Sequence, residues 1–223
     1  MNPAELREFA LRLALRAGEH ALNTQREAAA SCRLKSSRDF VTESDLALER
    51  MIVAEILREF PAHKILAEET MNQLAPYDLS TGSLWVIDPI DGTANYALGH
   101  SHYAVSIAYI EDGVAQIGVV HAPAQGETFT AMLNCGATLN EQQISVAAVD
   151  KLIEATIAFG TGTPRIRDQL APIAQPQLGA CFRRCRDLRR LGAATLDICW
   201  VACGRLHAFH ELALHSWDIA AAR

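Results

Sequence analysis

Acidic residues stand at the edges of hydrophobic segments at several points along this chain. Asp45 lies in the first turn of an apolar-striped helix. Glu68 and Glu69 follow the short apolar run Ile65-Leu66-Ala67. Asp88 closes the run Leu84-Trp85-Val86-Ile87, Asp91 comes three residues later, and Asp218 follows Trp217. A carboxylate next to a buried strand is costly to bury unless it is paired, hydrogen-bonded or bound to a metal. Strand ends in layered sheets are also where sites are assembled. The densest stretch is Asp88-Pro89-Ile90-Asp91-Gly92-Thr93. Pro89 fixes φ and stiffens the turn, so Asp88 and Asp91 can aim at one centre with a main-chain carbonyl between them. Gly92 permits close backbone approach, and Gly92-Thr93 can open a short helix whose N–H groups face an anion. Oxygen-only donors select hard ions such as Mg²⁺. Two such ions about 4 Å apart hold a phosphate, activate a water and stabilise the leaving oxygen. A turn with two helix-capping aspartates fits the same letters, and composition and spacing leave both readings open.

The elements that must position these residues are visible in the periodicity. Leu6, Phe9, Ala10, Leu13 and Ala17 predict an amphipathic helix over residues 3–28. Residues 31–41 read as polar and irregular. Thr42-Glu43-Ser44-Asp45 has the form of a capping box ahead of the stripe Leu48, Met51, Ile52, Ile56 and Leu57, and Pro61 closes that helix. Residues 64–67 form a strand, 71–83 a loop, and 84–87 a buried strand that stops at Asp88. Strands over 103–110, 114–121 and 127–132 make an antiparallel meander, with a Gly-containing turn at Glu111-Asp112-Gly113. Beyond Val149 come a strand at 155–159, a loop from Gly160 to Pro164 and a helix over 191–203 stopped by Gly204. A strand at 206–212 and a last helix opened by Trp217-Asp218 follow. Helices, then a meander, then alternating αβ imply a layered α/β or α+β fold.

The bulk numbers restrict the partners. The chain has 223 residues, 50% apolar and 21% charged, with a net charge of −6 and a pI near 5.7. That field repels phosphate backbones, so the expectation is no nucleic-acid partner. A bound divalent ion would still invert the field locally. No apolar run approaches the ~20 residues of a membrane span. The first residues lack a secretory signal pattern, so the expected location is cytoplasmic, with no membrane partner.

Other groupings have plainer explanations. Cys181/Cys185 and Cys199/Cys203 are spaced i, i+4, but zinc sites use tighter, turn-based spacings, and small buried apolar residues explain them better. His100/His102 and His207/His210 lack a matched third ligand. Gly160-Thr161-Gly162-Thr163 lacks the lysine of a P-loop and reads as a loop bordering the site. The arginines at 183, 184, 186, 189 and 190 read as a solvated helix face.

Trp85-Val86-Ile87-Asp88-Pro89-Ile90-Asp91-Gly92-Thr93-Ala94-Asn95-Tyr96 resembles the inositol monophosphatase signature W-x-x-D-P-[IL]-D-G-T-x-N-[FY]. Trp217-Asp218-Ile219-Ala220-Ala221 resembles that family's second signature, W-D-x-A-[AG]. Weaker matches occur in order: Lys35-Ser36-Ser37 before Asp39–Asp45, Ala67-Glu68-Glu69 for G-E-E, and Arg190-Leu191-Gly192-Ala193-Ala194 for R-x-G-[ST]-A. The resemblance spans essentially the whole chain.

It implies a layered αβαβα sugar-phosphatase fold with a largely antiparallel N-terminal sheet. An N-terminal part (1–145) would carry most metal ligands, and a C-terminal αβ part (146–223) would share the site. It implies a Mg²⁺-dependent phosphomonoesterase acting on inositol monophosphate or a similar polyol phosphate, with two and at most three Mg²⁺ per site. Glu68, Asp88, the Ile90 carbonyl and Asp91 would hold the first ion, and Asp88, Asp91 and Asp218 the second. Glu68 and Thr93 would position the nucleophilic water, with Asp45 orienting Thr93. The Gly92 and Thr93 N–H groups would hold phosphate. Gly192, Ala193, Ala194, Glu211 and Asp218 would meet the alcohol. A homodimer and lithium sensitivity are implied as well. Histidinol phosphate, fructose 1,6-bisphosphate and 3′-phosphoadenosine nucleotides are rival substrates.

The sequence departs from the family twice. Ala193 replaces a Ser/Thr, and the chain stops at Arg223 where relatives continue, so the C-terminal part is expected to be truncated with an exposed sheet edge. A shortened, inactive member with a binding or regulatory role is the alternative from another class.

Overall fold

The computed structural model describes residues 2–31, 33–36, 39–70, 80–161 and 167–222. Cys32, Ser37, most of the loop expected at 71–83, and Gly162, Thr163 and Pro164 lie outside the described residues.

The N-terminal helix α1 (Pro3–Ser31) buries Leu6, Phe9, Ala10, Leu13, Ala14, Ala17 and Ala21 along one stripe. The segment read as irregular is instead a short antiparallel ribbon of β1 (Arg33–Ser36) and β2 (Asp39–Val41). Its polar letters hid it, because no alternating apolar face marks the strands. The expected capping box opens α2 (Glu43–Glu59): Thr42 N–H donates to Asp45 Oδ2 at 2.7 Å, and Asp45 N–H donates to Thr42 Oγ1 at 3.3 Å.

The large sheet contains β3 (Lys64–Ala67), β4 (Ser83–Asp91), β5 (Ala104–Glu111), β6 (Val114–Ala122), β7 (Glu127–Met132), β8 (Gly136–Leu139) and β9 (Gln142–Gln143), side by side in that order. β3 and β4 are parallel, and every other pair is antiparallel. The expected meander is present. At its first turn Asp112 and Gly113 both take positive φ (49° and 76°), as a tight hairpin turn requires. The expectation that the apolar strand ends at Asp88 is corrected: β4 continues to Asp91, with its register against β5 shifting between Asp88 and Asp91. Pro89 donates nothing to the ladder, and it sits where the pairing breaks.

A second, three-stranded parallel sheet has the order β11 (Asp187–Arg189), β10 (Thr156–Phe159), β12 (Ala208–His210). Two core clusters flank the large sheet. One packs α1 and α2 onto Trp85, Ile87, Ile107 and Val119. The other packs α5 (Ala194–Ala202) and α6 (Ser216–Ile219) onto Leu84, Val86, Ala108 and Val120. There β6 carries Gly118, where a Cβ would stand 2.1 Å from the Ala221 carbonyl oxygen. Since α5 also meets β12 and α4 (Arg167–Arg184) meets β11, the result is a layered α+β fold with a large, mostly antiparallel sheet.

The sequence reading did not resolve α4, which contains Pro172 and Pro176. The arginine cluster is not one helix face: Arg183 and Arg184 end α4, Arg186 lies in a bend and Arg189 is on β11. Among the described residues no helix is long and apolar enough to cross a membrane, and Cys135, Cys181, Cys185, Cys199 and Cys203 are free thiols.

Candidate active site

The short helix α3 (Thr93–Ala97) starts directly after β4, and Gly92 makes the turn with φ 89°. A Cβ there would lie 3.1 Å from the Ala193 Cβ and 3.1 Å from the His102 carbonyl oxygen, so the turn is packed against two other loops. Asn95 ties these loops together. Its amide donates to the His102 carbonyl at 2.7 Å and to the Leu191 carbonyl at 2.8 Å.

Thr93 Oγ1 lies 3.0 Å from Asp45 Oδ1 and 3.1 Å from the Ile90 carbonyl oxygen, with its proton pointing at this acceptor pair. Asp45 is fully buried and also takes the Thr42 N–H and hydroxyl. The Thr93–Asp45 pairing inferred from resemblance is therefore made, and the Ile90 carbonyl sits beside it.

Glu68 leaves β3 next to β4, its N–H bonded to the Ile87 carbonyl at 3.2 Å. Asp88 accepts the Ile90 N–H at 3.1 Å. Burial pushes its carboxyl well up, and the charges of Glu68, Asp91 and Asp218 push it further. Asp91 is raised to about 6 by burial, against hydrogen bonds from Thr195 and Ala194 that favour its charged form. Asp218 is raised to about 8, first by burial and then by Asp91, Glu68 and Glu211. It sits in α6 and accepts the His215 N–H at 2.6 Å. Four carboxylates from two elements, β4 and α6, and the loop after β3 thus feel one another's charge in a low-dielectric place.

Among the described residues no three of them already surround one point in ligand geometry. The donor chemistry does fit a hard divalent ion: Glu68, Asp88, Asp91 and Asp218 offer carboxylate oxygens, and the neighbouring charges destabilise those of Asp88 and Asp218.

The residues expected to meet an alcohol lie on the C-terminal side. Gly192 takes φ 96°, Ala193 is buried, and the Ala194 N–H is committed to Asp91 Oδ1 at 3.1 Å. Glu211 follows β12 and lies over Gly160, where a Cβ would be 2.0 Å from its carboxyl carbon. The Gly160 loop thus borders Glu211.

Sequence reasoning missed four neighbours. Thr195 donates to Asp91 through N–H and hydroxyl. Glu49, one helical turn beyond Asp45, accepts the Glu69 N–H at 2.7 Å. His102 bonds Asp197 at 2.8 Å behind Asp91. For Glu49 a signal existed, since a charged residue inside the apolar stripe of α2 needs a partner. The other three come from contacts between distant segments that local spacing cannot show.

Residues 2–223 match the model of the inositol monophosphatase family. The chain belongs to the inositol monophosphatase family. It is 37% identical over 222 residues to a protein named Nus factor SuhB from Pasteurella multocida, covering 99% of this chain and 80% of that protein. Among solved structures it resembles the inositol monophosphatase from Anabaena (Nostoc) sp. PCC 7120, with TM-score 0.84, 30% identity and 100% and 80% of the two chains covered. The Thermotoga maritima IMPase gives TM-score 0.80 at 33% identity, covering 96% and 79%. Membership in the inositol monophosphatase family agrees with the two tryptophan-aspartate signatures. The chain spans about four fifths of the length of these relatives.

Proposed function

We propose that this protein is a Mg²⁺-dependent phosphomonoesterase for a small polyol phosphate of the inositol monophosphate type. The observation that carries the reading is the meeting of Glu68, Asp88, Asp91 and Asp218 within one another's field, with the Thr93–Asp45 hydrogen bond at its rim. Glu68, Asp88, the Ile90 carbonyl and Asp91 would hold one ion, and Asp88, Asp91 and Asp218 a second. When bound, the ions neutralise phosphate charge and lower the pKa of water.

The rest of the work falls to the chain. The Thr93 hydroxyl donates its hydrogen bond towards Asp45 Oδ1 and the Ile90 carbonyl, which leaves its oxygen lone pairs free to orient a water. Asp45 fixes that rotamer because its other oxygen is held by Thr42. Glu68 accepts the water proton. Attack on phosphorus is in line and needs no phosphoenzyme, so catalysis is mainly positioning and charge neutralisation. Gly92 and Thr93 N–H groups meet the phosphate, and Glu211 with the Gly192–Ala194 loop meets the alcohol. Residues 1–145 supply the ligands on and beside the large sheet. Residues 146–223 close the site with Asp218. Two chains associating as a homodimer, and inhibition by lithium, belong to the same proposal.

Purified protein with Mg²⁺ is expected to release phosphate from inositol 1-phosphate, and Asp91→Asn to abolish the release. Absence of Mg²⁺-dependent turnover across sugar, polyol and nucleotide phosphates would overturn the reading. A binding role is the second reading, favoured by the Nus factor name of the curated relatives. That role survives Asp91→Asn, whereas turnover does not.

A further inference from the structure

We infer that Thr195 is a positioning residue that fixes the carboxylate of Asp91, so that the first turn of α5 couples the proposed alcohol loop to the proposed cation site. The inference rests on the phosphatase reading only for the nature of the ion.

α5 opens at Ala194, and its N-cap residue, Ala193, has no side chain able to accept a hydrogen bond. The first N–H groups of a helix need acceptors from somewhere. Here they come from another element: Asp91 Oδ1 takes the Ala194 N–H at 3.1 Å, and Oδ2 takes the Thr195 N–H at 2.7 Å. Asp91, 104 residues away from Thr195, therefore caps α5 from β4. The Thr195 hydroxyl adds a third bond to Oδ2 at 2.5 Å. Thr195 is completely buried and Asp91 nearly so.

A carboxylate offers about four lone-pair directions. Both oxygens are engaged by groups whose positions are set by one helical turn, so the plane of the Asp91 carboxylate is fixed by α5. Gly192–Ala194, the loop proposed to meet the alcohol, runs directly into that turn. A shift of that loop on substrate binding moves the Asp91 carboxylate with it. Asp197, in the same first turn of α5, is bonded to His102 at 2.8 Å.

Outer partners of metal-binding carboxylates typically change affinity by about 10- to 100-fold when removed. The full-length chain is titrated with Mn²⁺ while free Mn²⁺ is read by electron paramagnetic resonance, without substrate or turnover. Thr195→Val keeps the shape and the main-chain N–H but loses the hydroxyl, and is expected to weaken Mn²⁺ binding by about tenfold. Thr195→Ser restores the hydroxyl and is expected to bind within about twofold of the parent. In turnover Thr195→Val should lower kcat more than it raises KM. A purely structural role would lower the melting temperature of Thr195→Val and leave Mn²⁺ affinity unchanged, which overturns the inference. If Thr195→Val does not fold, Thr195→Ser and Thr195→Ala take the same titration, and equal Mn²⁺ affinity in those two overturns it as well. No Mn²⁺ binding by the parent chain would refute the metal reading itself, a different failure from parent-like binding in the variant.

Discussion

Asp45 offers the sharpest separation of stability from chemistry, because its two oxygens do different jobs. Oδ2 closes the cap of α2 through the Thr42 N–H at 2.7 Å and the Thr42 hydroxyl at 2.5 Å. Oδ1 takes the Thr93 hydroxyl at 3.0 Å. Removing the carboxylate in Asp45→Ala deletes a cap worth about 1 kcal/mol and strands buried donors at about 1–3 kcal/mol. The cost is about 2–4 kcal/mol, or a fall of roughly 5–15 °C in Tm for a chain of this size. Asp45→Asn keeps an acceptor for one of the two jobs and costs less. Thr42→Ala removes only cap contacts: Tm should drop by about 2–4 °C with kcat nearly unchanged. Thr93→Val removes only the rim hydroxyl: Tm should hold while kcat falls by about 10²-fold. If Asp45 acts through Thr93, the double variant Asp45→Asn/Thr93→Val loses no more kcat than Thr93→Val alone. The assays are thermal melting and phosphate release under saturating substrate. Additive kcat losses in the double variant, or a Thr42→Ala enzyme as slow as Asp45→Asn, would refute the division of labour.

Three further outcomes follow from the same geometry. Asp91 and Asp218 are raised to about 6 and about 8 by burial. The native state therefore holds protons that the unfolded chain has released, and their contribution to stability is full below about pH 4 and is lost as pH rises towards 8. In a chelator Tm should fall between pH 5 and pH 8, and Mg²⁺ should raise Tm more at pH 8 than at pH 5; a Mg²⁺ shift independent of pH would contradict this. Glu49→Ala should free the Glu68–Glu69 turn and cut kcat by about tenfold with KM unchanged, while Glu49→Gln keeps an acceptor for the Glu69 N–H and most of the rate; equal losses in both variants would show that the charge matters, not the acceptor. Gly160→Ala puts a Cβ 2.0 Å from the Glu211 carboxyl carbon, so KM for inositol 1-phosphate should rise several-fold while the rate on a simple aryl phosphate stays; a parallel fall on both substrates would remove Glu211 from the alcohol subsite.

Much of this molecule was legible in one dimension. Period-3.6 stripes placed α1 and α2, strand-length segments and turn residues placed the meander, and Thr42 with Asp45 announced the cap of α2. Those signals are local, since each depends on residues within one or two turns of each other. The acidic residues at element edges stood out because a buried charge is rare enough to need a reason, and the resemblance to the two signatures grouped them into one expected site. Local signals failed at α4, where Pro172 and Pro176 interrupt the helical pattern. They failed again at β4, which runs past Pro89 by shifting its register where the proline cannot pair. Asp88-Pro89-Ile90-Asp91-Gly92-Thr93 fixed by itself which oxygens are available and that Gly92 must turn. Which way those oxygens face was decided only by packing. Ala194 and Thr195 reach Asp91 from about a hundred residues away, Asn95 ties the Gly92 turn to Leu191, and Glu49 holds the Glu69 backbone. The donor types are properties of the chain, while their directions are set by the distant elements that satisfy them once water is excluded.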